Sequence, residues 1–370
     1  MSEINQSDFC IVSYPIGKTF TTPISNISTI LSDINTTNVI LGSYDPICIP
    51  ENKALQIHFI SHRSGSSKLL QIMRYTLLNI KIILKLWALR QCYGRTLFFM
   101  EHPPILPMFF CILLGKRTYW LLPSKILYRS QSLLSRLEIF FSYIGYRVSD
   151  GIIVYSPNLI TEWHLEPYRK KILIAHHHFF NFTTLAVTTP LPSRSPLIGY
   201  IGRLSAEKGV QHFVQALPII LNDQKELRVL IGGDGQLKKS IKASLLDENL
   251  MDRTDLHGWI SDEDFPNYLN RLRLLVLPSS TEGLPYIILE AMACGTPVLT
   301  TPVGAIPDVI IDCETGFIME DNSPECIAKN VIRALSSPDL ERIAENGRRF
   351  VEKNFTFEKA VENWKRILLD

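Results

Sequence analysis

Apolar runs alternate with helix-period stretches along most of the chain, and the alternation is cleanest after residue 196. Stretches 197–201, 227–232, 274–278 and 297–301 read as strands; 209–221, 236–246 and 286–294 read as helices. Strands apolar on both faces belong to a parallel sheet covered by helices, so this half is α/β. The first half repeats the pattern less cleanly, with strands expected at 9–13, 38–42, 56–60, 96–100, 118–122 and 151–155. Between the halves, Pro190, Pro192 and Pro196 exclude both helix and central strand, which marks a linker. The expected domains are therefore 1–190 and 197–354, joined by 191–196. A terminal helix at 355–370 is expected to pack back on the first domain.

At 370 residues, 46% hydrophobic and 20% charged, the chain suits two globular domains rather than extended disorder. Residues 1–8 are polar and acidic, unlike a secretory signal. The apolar stretch 105–115 is about half the ~20 residues a bilayer requires, and 77–89 carries Lys81 and Lys85, so no transmembrane helix is expected. Seven scattered cysteines without a CxxC pair indicate neither a disulfide framework nor a zinc site, and point to the cytoplasm. The net charge of +2 hides a split: residues 1–195 carry +9 and 196–370 carry −7. A basic first half suits an anionic surface, whether phospholipid, phosphorylated acceptor or nucleic acid. Nucleic acid is the poorest fit, because no exposed aromatic platform interleaves the basic residues.

Candidate chemistry clusters in the second half. In 199–209 a strand ends at Gly202, where the backbone can approach a phosphate closely, and Arg203 and Lys208 can neutralise a diphosphate. The bland alternative is two surface cations in a polar loop. The turn Gly233-Asp234-Gly235 follows another strand and is read as structural. The sharpest signal is 277–298, where Glu282 sits in a loop after a strand and Glu290 on the helix that follows. That helix start offers N–H groups and a partial positive charge to a phosphate. A carboxylate within the helix can accept two ribose hydroxyls, and one in the preceding loop can reach a sugar beyond the phosphates.

At these residues the chain resembles the retaining family-4 glycosyltransferases of the GT-B fold, also described as glycosyl transferases group 1. The signature is Glu282-x7-Glu290 with Gly283-Leu284-Pro285 between and 291–298 after, joined by Gly202, Arg203, Lys208, the 233–235 turn and 303–308. The likeness is strong over about 196–350 and only topological over 1–190. It implies two Rossmann-like domains with parallel sheets facing across a cleft. It also implies that Arg203 and Lys208 bind the donor diphosphate, Glu282 contacts the donor sugar and Glu290 the ribose. Gly283, Leu284 and Pro285 would line the pocket, and the base would rest near Gly258 and Trp259. No metal or other cofactor is expected beyond a UDP- or GDP-sugar donor, since no Asp-x-Asp motif sits where a divalent ion could bridge a diphosphate. Transfer would proceed with retention, by front-face departure and attack.

The first half departs from the family. Its N-terminal loop offers Gly17 alone where paired glycines are usual, and 118–123 lacks the usual histidine. His102, in Met100-Glu101-His102-Pro103-Pro104, is the nearest substitute catalytic residue, against a purely structural role. The run His176-His177-His178 is expected to line the cleft without metal. Arg74, Lys81 and Lys85 share one helix face, and Lys125, Arg129 and Arg136 repeat the spacing, which suggests an anionic membrane surface and a glycan or lipid-linked acceptor. The rival is two core helices with solvated backs. Two other functions compete: a sugar-nucleotide epimerase, disfavoured by the Glu-x7-Glu context, and a catalytically silent nucleotide-sugar-binding subunit of a membrane-associated glycan assembly.

Overall fold

Parallel strands form where Ile, Val, Leu and Phe run together, and helices cover both of their faces. The computed structural model describes residues 8–16, 21–43, 52–61, 68–123 and 133–369, grouped into two units. The first unit runs to Phe179 and resumes at Phe357; the second is Phe180–Thr356. Gly17, Lys125 and Arg129 lie outside the described residues.

Strands β1 (Phe9–Ile16), β2 (Thr37–Ser43), β3 (Leu55–Ser61), β4 (Arg95–Phe99), β5 (Arg117–Leu121), β6 (Gly151–Val154) and β7 (Ile172–Ile174) build the first sheet. Among the described residues they pair in parallel in the order β3-β2-β1-β4-β5-β6-β7. Helices α1 (Thr21–Ile34), α2 (Lys68–Ala88), α3 (Ile105–Leu113), α4 (Leu133–Val148) and α5 (Asn158–Glu162) lie between strands. The central strands are apolar on both faces, and Ile11, Val12, Ile40, Phe98, Trp120 and Ile153 are fully buried. Buried Trp120 stacks on Tyr146, and its indole N–H donates to the Met100 carbonyl at 3.0 Å.

The second sheet holds β8 (Leu197–Ile201), β9 (Arg228–Gly232), β10 (Thr254–Gly258), β11 (Leu274–Leu277), β12 (Val298–Thr300) and β13 (Phe317–Ile318), paired in parallel in the order β10-β9-β8-β11-β12-β13. Its helices are α6 (Val210–Asp223), α7 (Lys238–Asp247), α8 (Phe265–Arg271), α9 (Tyr286–Ala293), α10 (Pro324–Leu335) and α11 (Leu340–Asn354). The order reverses between β8 and β11. In doubly wound sheets, the loops that leave neighbouring strands in opposite directions at such a point open a crevice at the strands' carboxyl ends. Each unit is thus a single parallel sheet with its helices, the pair of α/β domains that the GT-B resemblance implies. Among the described residues no helix is long and apolar enough to cross a membrane.

The proline segment expected as a linker lies inside the second unit, and Arg194 gives the reason. Its buried guanidinium donates to the carbonyls of Thr189 (3.0 Å), Leu272 (2.8 Å) and Cys294 (2.8 Å) and to the Thr296 hydroxyl (2.7 Å). Leu272 and Cys294 end α8 and α9, so one cation satisfies carbonyls that both helices leave open and complements their negative ends. The last helix, α12 (Phe357–Leu369), belongs to the first unit. Fully buried Trp364 donates to the His176 carbonyl at 2.9 Å, and Asn363 to that of Ile174 at 3.2 Å.

Removing the Arg194 guanidinium orphans several buried carbonyls at once. Arg194→Ala is therefore expected to cost about 3 kcal/mol or more in urea unfolding, with Arg194→Lys recovering only part because an ammonium lacks the fork. An unchanged midpoint for Arg194→Ala would show that the network contributes nothing.

Candidate functional site

The crevice at the β8–β11 reversal is built from two loops that touch. Residues 202–208 leave β8 and residues 278–285 leave β11, and the two strands are neighbours. The first loop closes through a 3₁₀ turn, Ala206–Lys208, and α6 begins after Gly209. Gly209 is left-handed at φ +69°, and a Cβ there would meet the Pro278 carbonyl oxygen at 2.0 Å, so only glycine allows this approach. The Glu207 carbonyl accepts from the Ser280 backbone N–H at 2.9 Å and its hydroxyl at 3.1 Å. Behind Glu282, the Gly304 turn (φ +65°) would place a Cβ 2.3 Å from the Glu282 carbonyl oxygen, and the Ala305 N–H donates to the Gly283 carbonyl at 2.7 Å. The backbone of 282–283 is thereby fixed from both sides.

This scaffold brings Lys208 and Glu282 together. The ammonium donates to both carboxylate oxygens at 2.7 Å, with the Glu282 side chain only 6% exposed and that of Lys208 20%. An ammonium has three donors, so one remains for another acceptor. Arg203, in the same loop, is 58% exposed and stands 3.8 Å from Glu207, whose carboxylate also accepts from the Ser205 hydroxyl at 2.8 Å. Gly202 donates its N–H to the Gly232 carbonyl at 3.0 Å, which ties the end of β8 to β9. Gly283, Leu284 and Pro285 lead directly into α9, so its positive end faces the same loops.

Glu290 lies one turn into α9 and is half-buried. Burial pushes its carboxyl up to about 8 from an ordinary value near 4.5, and the negative charge of Asp262 adds to the shift. No side-chain hydrogen bond to it occurs among the described residues. At the end of β10, Gly258 accepts from the Gly233 N–H at 2.5 Å, and the Trp259 side chain stands out into solvent, 76% exposed beside buried Ile260. Asp234 accepts from the Gly235 N–H at 2.7 Å and the Lys238 ammonium at 3.2 Å, the geometry of a self-contained turn. These contacts, the backbone bond first, hold its carboxyl below the usual carboxylate range.

Sequence reasoning passed over Asp262, part of an Asp262-Glu263-Asp264 run whose Asp264 accepts from the Ser261 hydroxyl at 2.7 Å. Its approach to Glu290 is a tertiary fact that spacing does not reveal. Among the described residues no group of three His, Cys, Asp or Glu side chains is arranged to hold a metal ion. His102 lies in the first unit, where its exposed ring pairs through Nδ1 with Glu138 of α4. His177 and His178 of the same unit are buried, with Tyr155 against both rings and Phe99 against His177. Burial lowers the His177 imidazole to about 3 and that of His176 to about 4.

Residues 182–350 match the family model described as Glycosyl transferases group 1. Alpha-D-kanosaminyltransferase of Streptomyces kanamyceticus is 32% identical over 152 residues, 41% of this chain and 39% of that protein. The capsular polysaccharide biosynthesis glycosyltransferase CapM of Staphylococcus aureus is 31% identical over 164 residues, 43% of this chain and 42% of that protein. The chain thus spans about two-fifths of the length of these relatives. Over nearly all of both chains (98% and 99%), the fold matches that of Anabaena HepE, solved in complex with UDP and glucose, with a TM-score of 0.75 at 14% identity.

The raised Glu290 value carries a sign. The folded protein favours the neutral carboxyl, so this stabilisation is complete below about 4.5 and is lost as pH rises through about 8. Glu290→Gln, which stays neutral, is expected to melt about 3 °C or more above the parent at pH 9 and level with it at pH 5. Calorimetric curves that coincide at pH 9 would show that ionising this carboxyl costs the fold nothing.

Proposed function

We propose that this chain, whose residues 182–350 match the family model of the glycosyl transferases group 1, moves a hexose from a nucleoside-diphosphate sugar to a glycan or lipid-linked acceptor. The observation that carries the reading is the Lys208–Glu282 pair, held at 2.7 Å on loops of adjacent strands beside the start of α9.

Each part of a donor finds chemistry suited to it in the second unit. The diphosphate meets the α9 N-terminus, the Arg203 guanidinium and the remaining donor of Lys208. Held against Lys208, Glu282 stays poised to accept hydroxyls of the sugar. Glu290, held neutral by burial, offers the ribose diol one acceptor oxygen and one O–H donor, and the exposed indole of Trp259 offers the base a stacking face. In this reading the anomeric carbon loses its bond to the diphosphate, and the acceptor hydroxyl attacks from the same side. The hydroxyl proton passes to the departing phosphate oxygen, and the configuration is retained. The dominant demand is to stabilise charge on the leaving group, which the two cations meet in the role a divalent ion fills elsewhere, so the reaction is read as metal-independent. In the first unit His102 is the candidate residue on the acceptor side, oriented by Glu138. We place the protein in the cytoplasm, peripheral on the inner membrane face.

A thermal-shift screen of UDP- and GDP-sugars tests donor binding, since a ligand of the folded state alone raises its stability. Transfer or donor hydrolysis by the purified protein separates an enzyme from a silent donor-binding subunit. Arg203→Ala and Lys208→Ala are expected to lower turnover about 100-fold and donor KM much less, in a coupled assay of nucleotide release. Arg203→Ala is the cleaner variant because it leaves no buried charge unpaired. Normal turnover in both variants would refute the assigned roles.

A further inference from the structure

Helix α2 is amphipathic in the wrong sense for a water-facing helix. Leu78, Ile82 and Leu86 pack into the core as expected, yet the opposite face carries Met73, Leu77, Ile80, Leu84 and Trp87, all exposed, with Leu84 at 61%. At about 100° per residue these five fall within ~40° of one line, a continuous outward stripe of roughly four turns. Arg74, Lys81 and Lys85 run along one flank, ~80–120° away, and α2 contains no acidic residue.

The two neighbouring helices repeat the pattern. α3 packs against α2 and exposes Leu106, Phe109 and Leu113, the last at 84%. α4 packs against α3 and exposes Leu137, Phe140, Phe141 and Tyr143. Three adjacent helices therefore present bulky aliphatic and aromatic groups on their outer sides. Scattered single exposures are ordinary, but a continuous array of this kind marks a surface that is covered in use. The second unit shows the ordinary pattern among its described residues, with Val187, Ile219, Leu246, Trp259 and Ile311 exposed at separate points along the chain.

We infer that the outer face of α2, α3 and α4 inserts into the interfacial layer of an anionic lipid bilayer, without spanning it. Charge selects this occupant over a protein. Helices α2, α3 and α4 together contain six Lys/Arg and one Asp/Glu, and that acid, Glu138, is paired with His102. Protein interfaces are depleted in lysine, whereas long cationic side chains flanking an apolar stripe reach lipid phosphates while the stripe enters the acyl boundary. At the end of α2, Arg90 lies 4.2 Å over the Trp87 ring, and Trp87 and Tyr143 are residue types that settle at headgroup depth. This surface lies entirely in the first unit and is independent of the donor chemistry proposed for the second.

The test is sedimentation of the full chain with phosphatidylcholine vesicles, with and without phosphatidylglycerol, in low and high salt. Binding is expected only with the anionic lipid, and neutralising Lys81 and Lys85 together (K81Q/K85Q) should weaken it by roughly 25-fold at low salt. Leu77→Asn with Leu84→Asn should weaken it by about ten-fold or more at any salt, because the lost contribution is apolar. Fluorescence quenching by bromolipids should vanish in Trp87→Phe and survive in Trp259→Phe, with melting temperatures unchanged to show that the variants fold. Failure to prefer anionic vesicles, or quenching that survives Trp87→Phe, overturns the inference. So does a concentration-dependent dimer, seen in lipid-free sedimentation velocity and abolished by the Leu77/Leu84 variant, which would give this face to a second copy of the chain.

Discussion

Two loops that leave neighbouring strands in opposite directions need something to keep them from parting, and here an ammonium and a carboxylate supply it. Lys208 donates to both oxygens of Glu282 while the carboxylate is almost withdrawn from water. Burying the pair is worthwhile only because geometry and backbone are already set; a single partner left behind would be an uncompensated buried charge. Gly209 against Pro278, Ser280 on Glu207 and Gly304 behind Glu282 provide that setting. The direction of α9, the place of Glu290 and the exposure of Arg203 all follow from loops fixed in this way.

α9 is held at both ends by charge. Its start follows the loop whose Glu282 is gripped by Lys208, and its last carbonyls meet Arg194 and Arg348, whose guanidinium groups donate to Cys294 at 2.8 Å and Ala293 at 3.0 Å. The helix is only eight residues long and mostly buried, so its own propensity contributes little and its ends decide its position. Arg194 explains why prolines that punctuate the sequence nonetheless sit firmly in one unit.

Much of this is legible in the sequence. The strand 197–201 matches β8 residue for residue, because a five-residue apolar run between a proline and a glycine leaves little freedom. β11 and α9 fall within a residue of expectation for the same reason. The β13 strand escaped notice because two residues, Phe317 and Ile318, set no period. Among the candidate site residues, Arg203, Lys208 and Glu282 are visible as charged groups in loops after strands, and Glu290 as one on the helix that follows. That Lys208 grips Glu282 rather than standing alone is not, since the contact joins residues 74 apart. Nor is the influence of Asp262 on Glu290. On α2 the basic residues are legible in the sequence, with a core helix and a lipid-facing one both open; periodicity reveals that a helix has an apolar face, but not that it has two, one turned outward.

The placement of α12 sets an order on synthesis. The chain leaves the first unit at Phe179, makes the whole of the second, and only then returns with the helix that seats Trp364 against His176. On the ribosome the second unit therefore has its full sequence while the first still lacks a wall of its core. The unit made first is completed last, and until α12 emerges the face of α1 that it covers stays bare to water and to chaperones.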